Sequence, residues 1–150
     1  LLQNTVKPGA HVVVADWRCD WIGPGIALRL ARDGHRVTLA VAGTHAGEVL
    51  PLYVRDTLAA EMHSAGITVR PYMRLYGTAG RTVYLQHTAS GDPMIFEGID
   101  TLVLCMGHLP QDHLATELAG VVDVRRIGDC LAPRTAEEAI HDGLTVAWAL

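Results

Sequence analysis

Residues 11–41 contain the pattern that most restricts the fold of this chain. His11–Asp16 is a continuous apolar run of strand length, and an amphipathic helix is predicted near 25–33. Gly34 stands where a left-handed helix C-cap belongs, and residues 36–41 form a second apolar run. A strand, helix and strand within about thirty residues make one βαβ crossover. The pattern therefore predicts a buried parallel sheet.

The rest of the chain continues this pattern with one antiparallel insertion. A second helix is predicted to begin near Pro51 and to end at Gly66. The further predicted elements are a third strand at 67–70, short strands at 82–87 and 94–97 joined by a turn at 90–93, a buried strand at 101–105, a last strand at 124–127, and a final helix opened by a Thr135–Glu138 capping box. The expected fold class is α/β: a three-layer Rossmann-like fold with a mainly parallel sheet, helices on both faces and a small antiparallel excursion.

Composition narrows the possible functions. The 150 residues suit one domain, and 49% hydrophobic with 19% charged residues allows a well-buried core. A net charge of −4 argues against nucleic-acid and membrane partners, and the apolar runs are too short to span a bilayer. Three cysteines without a Cys-x-x-Cys spacing argue against a disulfide framework, a zinc site or an iron–sulfur cluster within these residues, and suit a reducing cytoplasm. The start at Leu1 without methionine, and the end at Leu150 inside a helical pattern, indicate a piece of a longer chain.

The loop after the first strand is the expected place for phosphate groups. A helix N-terminus there offers unpaired N–H groups and a favourable dipole, and dinucleotide sites place glycine directly after the strand so that backbone touches the pyrophosphate. Here Asp16 is followed by the bulky residues 17–22, and glycines come only at Gly23 and Gly25. The loop, predicted to run from Trp17 to about Pro24, is longer and bulkier than the Gly-x-Gly-x-x-Gly fingerprint.

The end of the second strand also departs from the fingerprint. An acidic side chain about 20 residues on would bind the ribose hydroxyls. Residues 42–44 are Ala, Gly and Thr, and the next acid is Glu48. Tight NAD(P) binding is therefore disfavoured.

Trp17 and Trp21 in the same loop leave three interpretations open. They could form an interface with another part of the parent chain, which is the commonest role of exposed large aromatics. One tryptophan could instead stack on a bound base while Arg18 meets a phosphate, or both could pack in the core.

Several segments in the same order resemble a known family. They are 12–16, 23–31, 33–39, 100–104 and Arg126-Ile-Gly-Asp-Cys-Leu-Ala-Pro-Arg134. Together they are similar to the C-terminal region of the NADH:flavin oxidoreductases related to trimethylamine, dimethylamine and histamine dehydrogenases and to 2,4-dienoyl-CoA reductase. The likeness covers residues 7–150, and its most specific part is the stretch Ile127–Pro133.

The resemblance implies a parent flavoenzyme. In that family an N-terminal (β/α)8 barrel carries FMN and performs the chemistry, and a 4Fe–4S cluster lies between it and the C-terminal domains. Residues 7–105 would correspond to the NAD(P)-like part, and 106–150 to the returning tail of the FAD-like domain. The barrel and other domains of the parent chain would be the partners. The loop at 16–22 is similar to that of the amine dehydrogenases, whose equivalent domain does not bind NAD(P) and whose FAD-like domain can hold ADP.

The sequence thus yields a set of candidate cofactor-binding residues and three candidate functions. The residues are Asp16, Arg18, Gly23, Gly25, Gly107, Gly128 and Asp129. The first function is a degenerate nucleotide-binding domain that is structural or binds ADP or FAD through Gly128 and Asp129. The second is a working NAD(P)H domain that delivers hydride to flavin, and the third is a flavodoxin-like interaction module. No catalytic residue or metal ligand is expected within these residues, and the histidines are expected to be ordinary surface or core residues.

Overall fold

The computed structural model describes residues 6–149, and the chain divides into two compact units, Leu1–Gly107 and His108–Leu150. Leu1 and Leu150, on which the prediction of a cut chain rests, lie outside the described residues. Within residues 6–149, no helix combines the length and the apolar character needed to cross a lipid bilayer.

The first unit contains two sheets and two helices. Its elements are β1 His11–Asp16, α1 Ile22–Arg32, β2 Arg36–Val41, α2 Leu52–Ser64, β3 Thr68–Arg70, β4 Met73–Ala79, β5 Thr82–His87, β6 Pro93–Phe96 and β7 Thr101–Cys105. The larger sheet has the order β3-β2-β1-β7, and all its pairs are parallel, as predicted. The smaller sheet is antiparallel with the order β4-β5-β6. Strand β4 was not predicted; its alternating pattern is interrupted at Gly77, where the pairing with β5 shifts register.

The parallel sheet is buried on both faces because successive side chains of a strand point in opposite directions. Val12 and Val14 of β1 belong to a core cluster that includes side chains of α1. Val13 points the other way and packs with Met73 and Leu85 of the antiparallel sheet. The three-layer Rossmann-like fold is confirmed. The prediction of helices on both faces needs correction for this unit, since the antiparallel sheet covers the face opposite α1.

Helix α1 begins earlier than its periodicity suggested. It starts at Ile22, so Gly23 and Pro24 lie in its first turn, where a residue without a free N–H is tolerated. The connection from β1 is therefore only Trp17–Trp21, shorter than the predicted loop. At the other end Gly34 has φ +91°, which confirms the predicted left-handed C-cap.

Within residues 108–149, the second unit contains helical segments and no strand of a sheet. The helical segments are α3 His113–Glu117, a 3-10 turn Gly128–Cys130 and α4 Ala136–Trp148. The strand predicted at 124–127 is wrong, although Ile127 has extended angles (φ −140°, ψ 160°). A parallel strand is held by hydrogen bonds to its neighbours, and within the described residues this segment pairs with none.

The predicted capping box at the start of α4 is confirmed. The backbone N–H of Thr135 donates to the Glu138 carboxylate at 3.0 Å, and the Thr135 hydroxyl accepts the N–H at the third helical position. The hydroxyl bond to Glu138 lowers the pKa of that carboxyl. Both contacts satisfy groups that a helix N-terminus leaves unpaired.

Removing the cap is expected to loosen the first turn of α4. Thr135→Ala should destabilise that turn by about 1 kcal/mol, seen as roughly fivefold faster amide hydrogen exchange there. Thr145→Ala in the same helix is the matched control, because the Thr145 hydroxyl only donates to the carbonyl of His141. Equal exchange in both variants would contradict a capping role for Thr135.

Candidate functional site

The carboxyl ends of three parallel strands meet at the start of helix α1. Asp16, the last residue of β1, is paired with Val41 of β2 and Cys105 of β7. The loop Trp17–Trp21 leads from Asp16 into α1. Ligands of open α/β sheets bind outside this edge, so the local geometry decides whether a nucleotide fits.

The Asp16 side chain lies inside this loop rather than facing an open cleft. It is only 2% exposed, and its Oδ1 accepts the backbone N–H groups of Arg18 at 3.1 Å and Cys19 at 3.0 Å. Its Oδ2 is buried and has no hydrogen-bond partner among the described residues. Burial raises the pKa of Asp16 to about 6, although the two N–H groups favour the charged form.

A second carboxylate caps the helix itself. Asp20 Oδ1 accepts the N–H of Ile22, the first residue of α1, at 2.8 Å. Its Oδ2 accepts the Nε–H of Arg18 at 2.8 Å, so the cation predicted to meet a phosphate is bonded to Asp20. The backbone N–H groups of Arg18, Cys19 and Ile22 and the Nε–H of Arg18 are thus already engaged by these two carboxylates.

The two glycines of α1 have different surroundings. A Cβ atom placed on Gly23 would lie 2.4 Å from Oδ2 and 2.5 Å from Cγ of Asp16. On Gly25 the nearest atom would be Cε3 of Trp21, at 3.9 Å, which is an ordinary contact. Gly23 therefore makes room for the buried carboxylate, while Gly25 lies on a face that would accept a side chain.

An acid does reach the end of β2, which the sequence did not reveal. Glu48 folds back so that its Oε2 accepts the N–H of Thr44 and its Oε1 accepts the Thr44 hydroxyl, both at 3.0 Å. The signal lay in a Thr-x-x-x-Glu spacing within a turn-rich loop, which is too common to single out. Beside it, Gly43 donates its N–H to Sγ of Cys19 at 3.3 Å.

The two thiols of this edge are kept protonated. Burial raises the pKa of Cys105 to about 11, with the nearby Asp16 and Asp20 adding to the effect. Burial also raises the pKa of Cys19. We therefore expect Cys105 to be unreactive, because the thiolate is the nucleophile.

Trp17 and Trp21 are 51% and 64% exposed. The interpretation that they pack in the core is therefore wrong. An interface role and a stacking role both stay predictions.

The remaining candidate residues lie at the end of β7 and in the second unit. Gly107 follows β7, and nothing lies within 4 Å of where its Cβ would be. Gly128 opens the 3-10 turn and donates its N–H to Oδ2 of Asp142 at 3.2 Å. Asp129 is exposed, and its Oδ1 accepts the N–H of Arg134 at 3.4 Å. The structure thus brings together Asp16, Arg18 and Gly23 in one unit, and Gly128 and Asp129 in the other.

Among residues 6–149, no three His, Cys, Asp or Glu side chains come close enough to share a metal ion. In the segment 108–113, which contains His108 and His113, the Asp112 carboxylate accepts a hydrogen bond from Arg126 at 2.7 Å.

The structure of this chain is similar to those of known proteins. No family model and no curated protein sequence matches the chain. Histamine dehydrogenase from Rhizobium sp. 4-9 superposes with a TM-score of 0.84 and 19% identity over 95% of this chain. The 6-hydroxypseudooxynicotine amine oxidase HisD from Pseudomonas geniculata N1 superposes with a TM-score of 0.85 and 25% identity over 96% of this chain. A 2-naphthoyl-CoA reductase superposes with a TM-score of 0.81 and 26% identity over 95% of this chain.

The chain spans only 23%, 22% and 21% of the lengths of these three oxidoreductases. The resemblance inferred from the motifs is confirmed: the chain is similar to the C-terminal Rossmann-like region of the NADH:flavin oxidoreductase family that includes histamine dehydrogenase.

Proposed function

We propose that the chain is a nucleotide-binding-type domain of a flavin-dependent oxidoreductase whose α1 loop no longer takes the pyrophosphate of NAD(P). In this proposal the parent enzyme is cytoplasmic and carries FMN and a 4Fe–4S cluster in other domains. This chain supports those domains and contributes Gly128 and Asp129 to an ADP or FAD site. It has no catalytic group of its own.

The observation that carries the proposal is the pair of carboxylates at the start of α1. A pyrophosphate binds such a site through backbone N–H groups and the positive end of the helix. Here the N–H groups of Arg18, Cys19 and Ile22 are bonded to Asp16 and Asp20. A phosphate charge about 4 Å from a carboxylate would be repelled by about 4 kcal/mol at the effective dielectric of a protein surface.

The comparisons support the broader part of this proposal, a nucleotide-binding-type domain of a flavoprotein oxidoreductase. The similarity is high to proteins named as a histamine dehydrogenase, an amine oxidase and a 2-naphthoyl-CoA reductase. It is lower to a Plasmodium falciparum NDH2 in complex with NADH, which has a TM-score of 0.56 and 12% identity over 65% of this chain. That likeness supports the fold alone.

One observation favours the second function, a working NAD(P)H domain. The Glu48 carboxylate at Thr44 lies at the end of β2, where a ribose-binding acid is expected. A carboxylate there would favour NADH over NADPH, because the 2′-phosphate of NADPH would be repelled. Titration with both nucleotides therefore separates the two functions.

Isothermal titration calorimetry of the full chain with NADH, NADPH, ADP and FAD tests the proposal. We expect NADH and NADPH to bind with Kd above about 1 mM, since the loop donors are engaged. ADP or FAD is expected to bind more tightly, and Asp129→Asn should weaken that binding about tenfold through loss of a charge-assisted hydrogen bond.

Asp123→Asn is the matched control, because Asp123 is an exposed aspartate of the same unit that only faces Arg125 at 3.4 Å. Micromolar binding of NADH or NADPH would overturn the degenerate role of the α1 loop. Equal ADP affinity in the two variants would remove Asp129 from the proposed site.

A further inference from the structure

A cavity of about 510 Å³ lies under helix α2, away from the start of α1. Its apolar floor includes Ala46, Met62, Ile67 and Val69, and the first three of these are at most 8% exposed. The volume lies within the range of about 300–1,000 Å³ that is typical of small-molecule sites.

The cavity lies where α2 contributes few buried side chains. Strand β3, the edge strand of the parallel sheet, has only three residues. Of the thirteen residues of α2, only Met62 is buried. Helix α2 packs one buried and one half-buried large side chain, Met62 and Leu58, onto the core. Apolar surface remains at the cavity on Ala59 of α2 and Val69 of β3.

The rim of the cavity is polar and is held in place by a chain of hydrogen bonds. Nη1 of Arg55 lies 2.8 Å from Nε2 of His45, and since a guanidinium can only donate, that imidazole nitrogen accepts. Nδ1 of His45 then carries the proton and donates to the Thr44 hydroxyl at 2.6 Å, which donates to Glu48. Arg55 is thereby fixed at the mouth of the cavity.

Arg55 is the cation that faces the cavity, beside the imidazoles of His45 and His63. Asp56 is the acidic residue of the lining; its side chain is 67% exposed, and its Oδ1 lies 3.6 Å from Nε of Arg55. The planar N–H fork of arginine matches the two oxygens of a carboxylate, so a carboxylate at the mouth is the natural complement.

We propose that this cavity is a binding site for a small organic acid, whose apolar, aromatic-sized body lies on the floor under α2 and whose carboxylate is bound by Arg55. The proposal is independent of the proposed function, since neither Asp16 nor Asp20 lines the cavity. All the residues that line the cavity belong to the first unit.

Biphenyl-4-carboxylate and its neutral analogue biphenyl-4-carboxamide are suitable probes, titrated into the full chain by calorimetry or ligand-observed NMR. With about fifteen non-hydrogen atoms and ordinary ligand efficiency, the acid is expected to bind with Kd of about 0.1–1 mM. The amide should bind about tenfold more weakly, and Arg55→Met should remove the difference between the two probes.

Two phenylalanine variants test the location independently of charge. Ala59→Phe places a ring in the cavity and should abolish binding of both probes. Ala60→Phe adds the same side chain at the next exposed position of α2, outside the lining, and should bind like the wild type. Equal binding of acid and amide by the wild type, equal binding by the two phenylalanine variants, or no binding of the acid up to about 5 mM would each overturn the proposal.

Discussion

Gly23→Ala is expected to lower the free energy of unfolding of the first unit by about 2–3 kcal/mol. The new methyl group would lie 2.4 Å from Oδ2 and 2.5 Å from Cγ of Asp16, well inside van der Waals contact. The Asp16 side chain has little freedom to withdraw. Its Oδ1 is held by two backbone N–H groups, and its backbone is paired with both β2 and β7.

The intrinsic helix preference acts in the opposite direction. Alanine is favoured over glycine in a helix by about 0.5–1 kcal/mol. The expected loss of unfolding free energy is therefore the steric cost minus this gain. Moving Asp16 outward would also break the hydrogen bonds that shape the loop. We therefore expect the steric cost to decide the sign.

Gly25→Ala provides the matched control two residues later in the same helix. Its methyl group meets nothing nearer than 3.9 Å, so only the preference of alanine for the helix remains. The variant should be more stable than wild type by about 0.5–1 kcal/mol. Urea denaturation of both variants measures the difference. Similar stabilities of the two alanine variants would show that Asp16 does not lie against the first turn of α1.

The parallel sheet could be predicted from the sequence because burial leaves a local signature. The run His11–Asp16 is apolar since both faces of β1 are covered. Position 34 favours glycine because its φ of +91° lies in the left-handed region. The Thr135–Glu138 capping box is likewise a local contact with a fixed spacing. Such features need no knowledge of distant residues.

Features that depend on the conformation of a loop or on the pairing of strands could not be predicted in this way. Asp16 was expected to face a cofactor, whereas its carboxylate is turned inward to its own loop by N–H groups whose direction depends on the loop conformation. The return of Glu48 to Thr44 depends on the path of the whole loop after β2. The segment 124–127 has strand-like composition, but a strand also needs neighbours.

Asp16 should also make the stability of the first unit fall as pH rises. Its pKa is raised by burial from 3.8 to about 6, so the folded state holds a proton that the unfolded state releases. Because stability falls with pH wherever the folded state binds more protons, the contribution of Asp16 is fully present below about pH 4 and is lost as pH rises through 6. The expected loss is about 3 kcal/mol.

Asp16→Asn isolates this effect because it removes the titrating group and keeps an oxygen acceptor for the N–H groups of Arg18 and Cys19. Between pH 4 and 7.5, the stability of wild type relative to this variant should fall by about 2.5 kcal/mol in urea denaturation. Asp100→Asn should show the opposite sign. The pKa of Asp100 is lowered by the N–H of His11, so wild type loses its advantage over that variant as pH falls below about 4. A difference between wild type and Asp16→Asn that stays constant with pH would mean that the carboxylate is solvated. In that case the loop would have room for a phosphate, and NAD(P) could bind at the start of α1.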